Sequence, residues 1–198
     1  MTPKSYYRSK RNLCLGLTLL LLSGFTSTLW AQSYRILLSN DDGIESPLLI
    51  ALHQVLVALP EVEVVVSAPN ENQSGSSHST NGGPLVVERI QHEGEFFGYA
   101  VHGRPADAVR FGLYELGRDN AFDLVVSGIN RGSNVGDVSH LSGTIGAAME
   151  GIYNGVPAIA VSQEPEGVDA AASARFTAQL VTLYREQGAP QGTLVSIN

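Results

Sequence analysis

The chain has 198 residues, with 12 Lys and Arg against 19 Asp and Glu, a formal charge of −7. That length predicts one domain, the 43% hydrophobic content excludes a disordered chain, and the acidic balance argues against a nucleic-acid polymer as partner. The 21 glycines follow no collagen-like period, so they are expected in loops where backbone turns or approaches a ligand.

Lys4, Arg8, Lys10 and Arg11 precede an apolar run from Leu13 to Phe25, and the small residue Ala31 follows. This pattern predicts a cleaved secretory signal peptide over 1–31. The run is 13 residues long, short of the ~20 that a spanning helix needs. An uncleaved signal anchor is the alternative. Cys14 opens the run, whereas a lipidated cysteine would follow it. The protein is thus expected to be exported, to the periplasm, with no stable membrane anchor after cleavage. Residues 32–198 carry eight arginines, no lysine, all 19 acids and no cysteine, a charge near −11. They must hold together by an ordinary core, without disulfides. An anionic substrate would need a local positive element, a metal or a helix N-terminus.

Arg35 to Ser39 is a short apolar run bounded by turn residues and reads as a buried strand. Asn40, Asp41, Asp42 and Gly43 form the loop after it. Ser46 is expected to cap a helix with Pro47 first and Leu48, Leu52, Val55, Leu56 and Leu59 on one face, ended by Pro60. Val62 to Ser67 is a second strand, which completes a βαβ unit and implies a parallel sheet. Residues 69–84 make a polar loop longer than the ~12–15 residues usual for a compact domain, hence a functional candidate. Leu85 to Ile90 and Phe96 to His102 read as a hairpin. Pro105 starts a helix with Val109, Leu113 and Leu116 inward. Asp123 to Ser127 is a core strand, and Gly128 to Leu141 a second Gly- and Asn-rich loop. Ser142 caps a helix with Ile145, Ala148, Met149 and Ile152 inward, stopped at Gly155. A strand over 158–162, a helix over 168–186 and a strand over 193–197 follow. The alternation predicts one α/β domain, a Rossmann-like doubly wound, mostly parallel sheet with a β-hairpin insertion.

In such sheets ligands bind outside the carboxyl ends of the strands. The loops at 40–43, 69–84 and 128–141 all follow strands and are expected on one edge. Asp41 and Asp42 are adjacent carboxylates there, and their repulsion calls for solvent or a cation. Mg²⁺ or Mn²⁺ would suit oxygen donors. One Asp facing solvent and the other capping a turn is the plain structural alternative. An aspartyl-phosphate phosphatase is a weaker rival, because those enzymes space their carboxylates two apart and Gly43 holds that place. Ser142, Gly143 and Thr144 open a helix whose N–H groups and dipole suit an anion, with Asn130 and Asn134 in the loop before it. A cation site beside an anion site suits a phosphate monoester attacked by a metal-activated water. Of the five histidines, His53, His92 and His102 read as packed or surface residues. His78 and His140 lie in the site loops, and either could donate a proton to a leaving oxygen.

Six segments carry a resemblance: ILLSNDDGIESPLL (36–49), VVSAPNENQSGSSHS (65–79), GRPADAV (103–109), DLVVSGINRGSNVGD (123–137), SGTIGAAMEG (142–151) and GVPAIAVS (155–162). In that order they resemble the SurE family of nucleotidases and acid phosphatases, across residues 35–198. The resemblance implies a Rossmann-like α/β fold and a metal-dependent phosphatase acting on nucleoside 5′- and 3′-monophosphates, with homodimers or larger assemblies. It implies Asp41, Asp42, Ser74 and Asn130 as ligands of Mg²⁺ or Mn²⁺, the two acids being catalytic through the metal. Asn40, Gly43, Gly75, Asn134, Ser142, Gly143 and Thr144 match its substrate and phosphate side. Three features depart from the family pattern. Arg104 replaces the Thr of the GTPxD segment, and Ala108 the Cys after its Asp. The stretch before SGT reads Asp137-Val138-Ser139-His140-Leu141 where DDVxY is usual. Family chains continue past the position of Asn198, so a C-terminal family segment is expected to be missing from the phosphatase domain at 32–198. The resulting reading is hydrolysis of nucleoside monophosphates to nucleoside and phosphate. A broad-specificity periplasmic acid phosphatase and a non-catalytic nucleotide-binding protein are the alternatives.

Overall fold

The computed structural model describes residues 33–167 and 169–198. The signal peptide expected over 1–31 lies outside the described residues. Among those described, no helix is long and apolar enough to cross a membrane. The elements run β1 (Tyr34–Ser39), α1 (Pro47–Val57), β2 (Val62–Pro69), β3 (Val87–His92), β4 (Glu95–Val101), α2 (Pro105–Phe111), β5 (Leu124–Arg131), α3 (Gly143–Tyr153), β6 (Ala158–Gln163), α4 (Ala170–Gln187) and β7 (Leu194–Ile197). A short π-helical turn at Gly112–Leu116 extends α2, and a 3-10 turn at Gly136–His140 precedes α3.

The seven strands form one sheet in the order β3-β4-β2-β1-β5-β6-β7. Every pairing is parallel except the β3–β4 hairpin. The expected doubly wound architecture with its hairpin is therefore present. Both faces of the sheet are covered, which is why its central strands read as continuous apolar runs. On one face, Leu49, Leu52 and Leu56 of α1 and Ala174, Ala178 and Val181 of α4 pack on Ile36, Leu38, Val126 and Val161. On the other, Val109 of α2 and Ile145 and Ala148 of α3 pack on Leu37, Val125 and Ala160. Each fully buried Leu contributes about 1.5–3 kcal/mol relative to leaving it exposed.

Several local expectations are corrected. Leu49 joins the expected α1 face, whose Leu52 and Leu56 are fully buried and whose Leu48, Val55 and Leu59 pack half-buried against the core. Ser46 occupies the N-cap position of α1, but its hydroxyl bonds none of the first-turn N–H groups. Met149 is 44% exposed, not inward. The sheet-facing side of α3 is built from small residues instead. At Gly151 a Cβ would stand 2.8 Å from a Val125 methyl carbon, so the helix sits too close to β5 to admit a long side chain there. The loop expected from Gly128 begins later, because β5 runs on to Arg131. Asn130 pairs with Ser162 and Arg131 with Gln163 across the β5–β6 ladder, after a register shift beyond Ser127. Bulges of this kind re-aim side chains near sites.

The long loop after β2 is tied down at its far end. The buried Asp107 carboxylate accepts the Asn81 backbone N–H at 2.9 and 3.1 Å and the Arg104 N–H at 2.9 Å. Residue 104 contributes only backbone to this clamp, which explains why an Arg is accommodated at a family Thr position.

The chain order reverses at β1: β2 lies to one side of it and β5 to the other. The crevice above their carboxyl ends is the topological switch point, where open α/β sheets bind ligands. Asp41 and Asp42 leave β1 at that crevice, and Asn130 sits at the end of β5.

Candidate active site

Asp41 is 3% exposed, enclosed by the 69–84 loop and the start of α3. The Gln73 backbone N–H donates to its carbonyl at 2.7 Å, and the Thr144 hydroxyl donates to its Oδ1 at 2.6 Å. Burial pushes the Asp41 carboxyl above its ordinary value, and the Asp42 charge adds to this. Hydrogen bonds from the Thr144 side chain and backbone oppose it. Asp42 is half-buried. Its Oδ2 accepts the Arg131 backbone N–H at 3.3 Å and its Oδ1 the Asn72 side-chain amide at 3.2 Å. Burial raises the Asp42 carboxyl too, while the Arg131 N–H and guanidinium charge pull it down. Among the described residues, neither Asp forms an ion pair with Arg, Lys or His. Apart from the Arg131 charge acting on Asp42, these two neighbouring carboxylates have no cation within ion-pair distance among the described residues.

The surrounding donors fit a hard divalent ion. The Asn130 amide nitrogen is spent on the Gly132 carbonyl at 2.6 Å, which leaves its oxygen for another partner. Asn40 donates to the Gly43 carbonyl at 2.8 Å, and its own Oδ1 is buried without a partner. Ser76 Oγ is likewise buried and unpartnered, close against Gly143 and Asp41. Among the described residues no cluster of three or more His, Cys, Asp and Glu could hold a metal. A cation at this edge would thus take two carboxylates plus neutral oxygens, a set suited to Mg²⁺-like ions that keep several waters.

The residues expected at the site are brought together to different degrees. Asn40, Asp41 and Gly43 share the β1–α1 turn. Gly43 has φ of +100°, and a Cβ there would stand 3.1 Å from the Glu71 backbone, so this turn packs directly under the 69–84 loop. Ser74 and Gly75 are exposed on that loop. The Ser74 backbone N–H donates to Asn72 Oδ1 at 3.0 Å, and the same Asn72 side chain bonds Asp42, so one residue links Ser74 to the acidic pair. Gly143 lies against Asp41: a Cβ would come within 2.8 Å of Asp41 Cβ. Ser142 caps α3 as expected, accepting the Ile145 N–H at 3.2 Å. Thr144 differs from expectation, since its hydroxyl is given to Asp41 and orients that carboxylate. Asn134 is buried, its amide donating to Ser162 Oγ at 2.9 Å and its N–H to Asn198 Oδ1 at 2.7 Å. It braces the loop between β5 and α3, and both bonds occupy donors that a phosphate would need.

Asn72, Ser76 and Glu150 escape sequence reasoning. Asn72 carries a weak signal, an Asn two residues before a Ser, the spacing of an Asx turn. Ser76 has none among so many serines. Glu150 is 1% exposed although it sits in a helix. His78 bonds its Oε2 at 2.7 Å, and Arg110 and Asn154 bond its Oε1 at 3.0 and 3.1 Å. Burial alone would raise this carboxyl, but the Arg110 and His78 hydrogen bonds outweigh it and hold it below its ordinary value. The His78 bond fastens the site loop to the outer part of α3. His140 is exposed on the 3-10 turn, and His53 meets Phe97 edge-on at 5.0 Å, a packed residue as expected.

The family model for survival protein SurE matches residues 36–198. The chain is 43% identical over 167 residues to a protein of Geotalea daltonii named 5'-nucleotidase SurE, covering 83% of this chain and 64% of that one. It is 48% identical over 129 residues to one of the same name from Petrotoga mobilis, covering 65% of this chain and 50% of that one. The crystal structure of the SurE protein from Aquifex aeolicus superposes with a TM-score of 0.71 at 38% identity, covering 79% of this chain and 62% of that one. The chain thus spans between half and just under two thirds of the length of these relatives. With a matching family model, this level of identity and a shared fold, the chain belongs to the SurE family.

Proposed function

We propose that this protein is an exported, divalent-metal-dependent phosphomonoesterase that hydrolyses nucleoside 5′- and 3′-monophosphates to nucleoside and phosphate. The observation that carries the reading is the acidic pair at the topological switch point, which among the described residues has no protein cation within ion-pair distance. The relatives' name, 5'-nucleotidase, supports the substrate class.

In this reading Asp41 and Asp42 bind Mg²⁺ or Mn²⁺, with Ser74 Oγ and Asn130 Oδ1 completing the protein ligands. When bound, the ion supplies Lewis-acid polarisation of the phosphoryl oxygens and of an attacking water. Thr144 holds Asp41 in one orientation, and Asn72 and the Arg131 N–H do the same for Asp42. Such outer partners typically change metal affinity or activity by about 10–100-fold. Gly143 and the Ser142 hydroxyl at the start of α3 would lie on the phosphoryl side, where negative charge develops, with Asn40, Gly43, Gly75 and Asn134 shaping the surrounding loops. The N-terminal basic and apolar segment supports export to the periplasm, and the family resemblance supports a homodimer or larger assembly.

A substrate panel tests the specificity. Phosphate release is measured from AMP, GMP, 3′-AMP, p-nitrophenyl phosphate and glycerol phosphate at acidic and neutral pH. Nucleoside monophosphates are expected to have the highest kcat/KM at both pH values. Equal rates on all five esters with an acid optimum would replace the nucleotidase reading by a broad acid phosphatase. Tight AMP binding without phosphate release would leave only a binding protein.

A further inference from the structure

Glu150 takes no part in the chemistry above, yet it is a carboxylate 1% exposed inside a helix. Buried charges are kept where they are paired and hydrogen-bonded. Its Oε1 is held from two sides, by Arg110 Nε of α2 at 3.0 Å and by the Asn154 amide at the end of α3 at 3.1 Å. Asn154 is fixed in turn by the Tyr114 hydroxyl at 2.9 Å. Burial pushes the Glu150 carboxyl up, the Arg110 and His78 hydrogen bonds push it down further, and the net shift is downward. Glu150 is therefore an acceptor at neutral pH, and its Oε2 takes the Nε2 proton of His78 in a hydrogen bond of 2.7 Å. With its proton on Nε2, a neutral His78 ring has none at Nδ1 to give. This commitment argues against the proton-donor role that its place in the loop suggests.

The bond holds the segment that carries Ser74 and Ser76. At one end of the segment the Gln73 N–H is tied to the Asp41 carbonyl, and at the other the Asn81 N–H is tied to Asp107. Between them Ser77 has φ of +53°, a left-handed conformation that a non-glycine residue keeps only where its surroundings hold it. Its N–H donates to the Leu141 carbonyl at 3.0 Å. The backbone then rests on α3 at Gly146, where a Cβ would stand 2.9 Å from His78 Cα. Gly143, Gly146 and Glu150 follow one another along one face of α3. At Gly143 a Cβ would stand 2.7 Å from Ser76 Oγ and 2.9 Å from Asp41 Oδ2, so the seated segment meets the acidic turn there.

We propose that His78 is a positioning residue: through the Glu150–Arg110 pair it seats the 74–79 segment on α3 and holds Ser74 and Ser76 in place relative to the acidic pair. For its effect on the metal and on turnover the inference rests on the phosphomonoesterase reading; the seating itself does not.

The test uses the full chain and two variants, His78→Ala and His78→Gln. The glutamine amide nitrogen can donate to Glu150 as Nε2 does, but it transfers no proton. Arg110 and Asn154 still hold Glu150 in both, so the fold should persist, and thermal unfolding checks this. Three quantities are read: hydrogen exchange at the Ser77 amide without metal, Mn²⁺ binding by calorimetry, and kcat and KM for AMP at saturating Mn²⁺. His78→Ala is expected to speed exchange at Ser77, to weaken Mn²⁺ binding about tenfold and to lower kcat by about 10–100-fold, the range for outer partners of a metal site. KM for AMP should change less than kcat. His78→Gln should regain most of all three. Wild-type exchange, Mn²⁺ binding and kcat in His78→Ala, whatever its Tm, would overturn the proposal. So would a His78→Gln as slow as His78→Ala with exchange and Mn²⁺ binding intact, the result expected of a proton donor. A wild-type chain that neither binds Mn²⁺ nor hydrolyses AMP would overturn the phosphomonoesterase reading, and exchange at Ser77 would still uphold or overturn the seating.

Discussion

Asp41→Asn is expected to raise the thermal stability of the metal-free protein and to lower AMP hydrolysis by more than about a hundredfold, beyond the loss typical of an outer-shell partner. Asp41 is buried beside a second carboxylate, and its folded-state value lies above the ordinary one. An acid raised on folding binds more protons in the native than in the unfolded state, so the metal-free protein loses stability as pH rises from the unfolded value through the folded one. Above the folded-state value the full penalty is present; below the unfolded value, with Asp41 protonated in both states, it is absent. Asparagine removes the charge, and its Oδ1 still accepts the Thr144 hydroxyl. The gain in Tm should therefore appear in EDTA at neutral pH and vanish on acidification. Divalent ion should raise the wild-type Tm by roughly 5–10 °C at a hundredfold excess over Kd, and leave the variant unmoved. A variant less stable than wild type in EDTA at pH 7 would show that Asp41 is satisfied without a cation.

Gly146→Ala is expected to lower AMP kcat/KM by about a hundredfold although residue 146 touches no substrate. A Cβ at this position would clash with the Ser77 carbonyl oxygen, 2.6 Å from the Ser77 carbonyl carbon and 2.9 Å from His78 Cα. Both neighbours are backbone, so no side chain can swing away. Alanine improves intrinsic helix propensity by about 0.8–1 kcal/mol, but overpacking typically costs about 1–3 kcal/mol. The loop carrying Ser74 and Ser76 must lift off α3, and a displacement of about 1 Å at a reacting centre costs about 10²-fold. Urea unfolding and AMP kinetics check this together. A variant of wild-type activity and equal or higher stability would mean that the loop is not clamped on the helix.

Much of the architecture is legible in the sequence because local and global signals agree. β1, β2, β5 and β6 are apolar runs bounded by turn residues, and a sheet covered on both faces requires just that. The NDDG turn is legible because adjacent acids at a strand end have few structural uses. The end of β5 is not. Gly128, Asn130 and Gly132 carry turn chemistry, yet pairing with β6 draws Asn130 and Arg131 into the ladder. Met149 reads the wrong way, and Glu150 escapes notice, for a related reason. Helical periodicity places an apolar Met inside and an acid outside. The close approach of α3 to β5 excludes the Met, while Arg110 and His78, 40 and 72 residues away in sequence, hydrogen-bond the buried Glu. Thr144 shows the same dependence on distant partners. A helix-start hydroxyl suggests an anion ligand, and only the fold reveals that Asp41, 103 residues earlier, accepts its hydrogen bond.

Phosphate release from AMP by the full chain, measured in EDTA, then with Mg²⁺ or Mn²⁺ restored, and in parallel for Asp42→Asn, tests the metal-dependent site most directly. The expected result is background release in EDTA, recovery on adding the ion to wild type, and no recovery in Asp42→Asn. Equal, EDTA-resistant release by both proteins would contradict it.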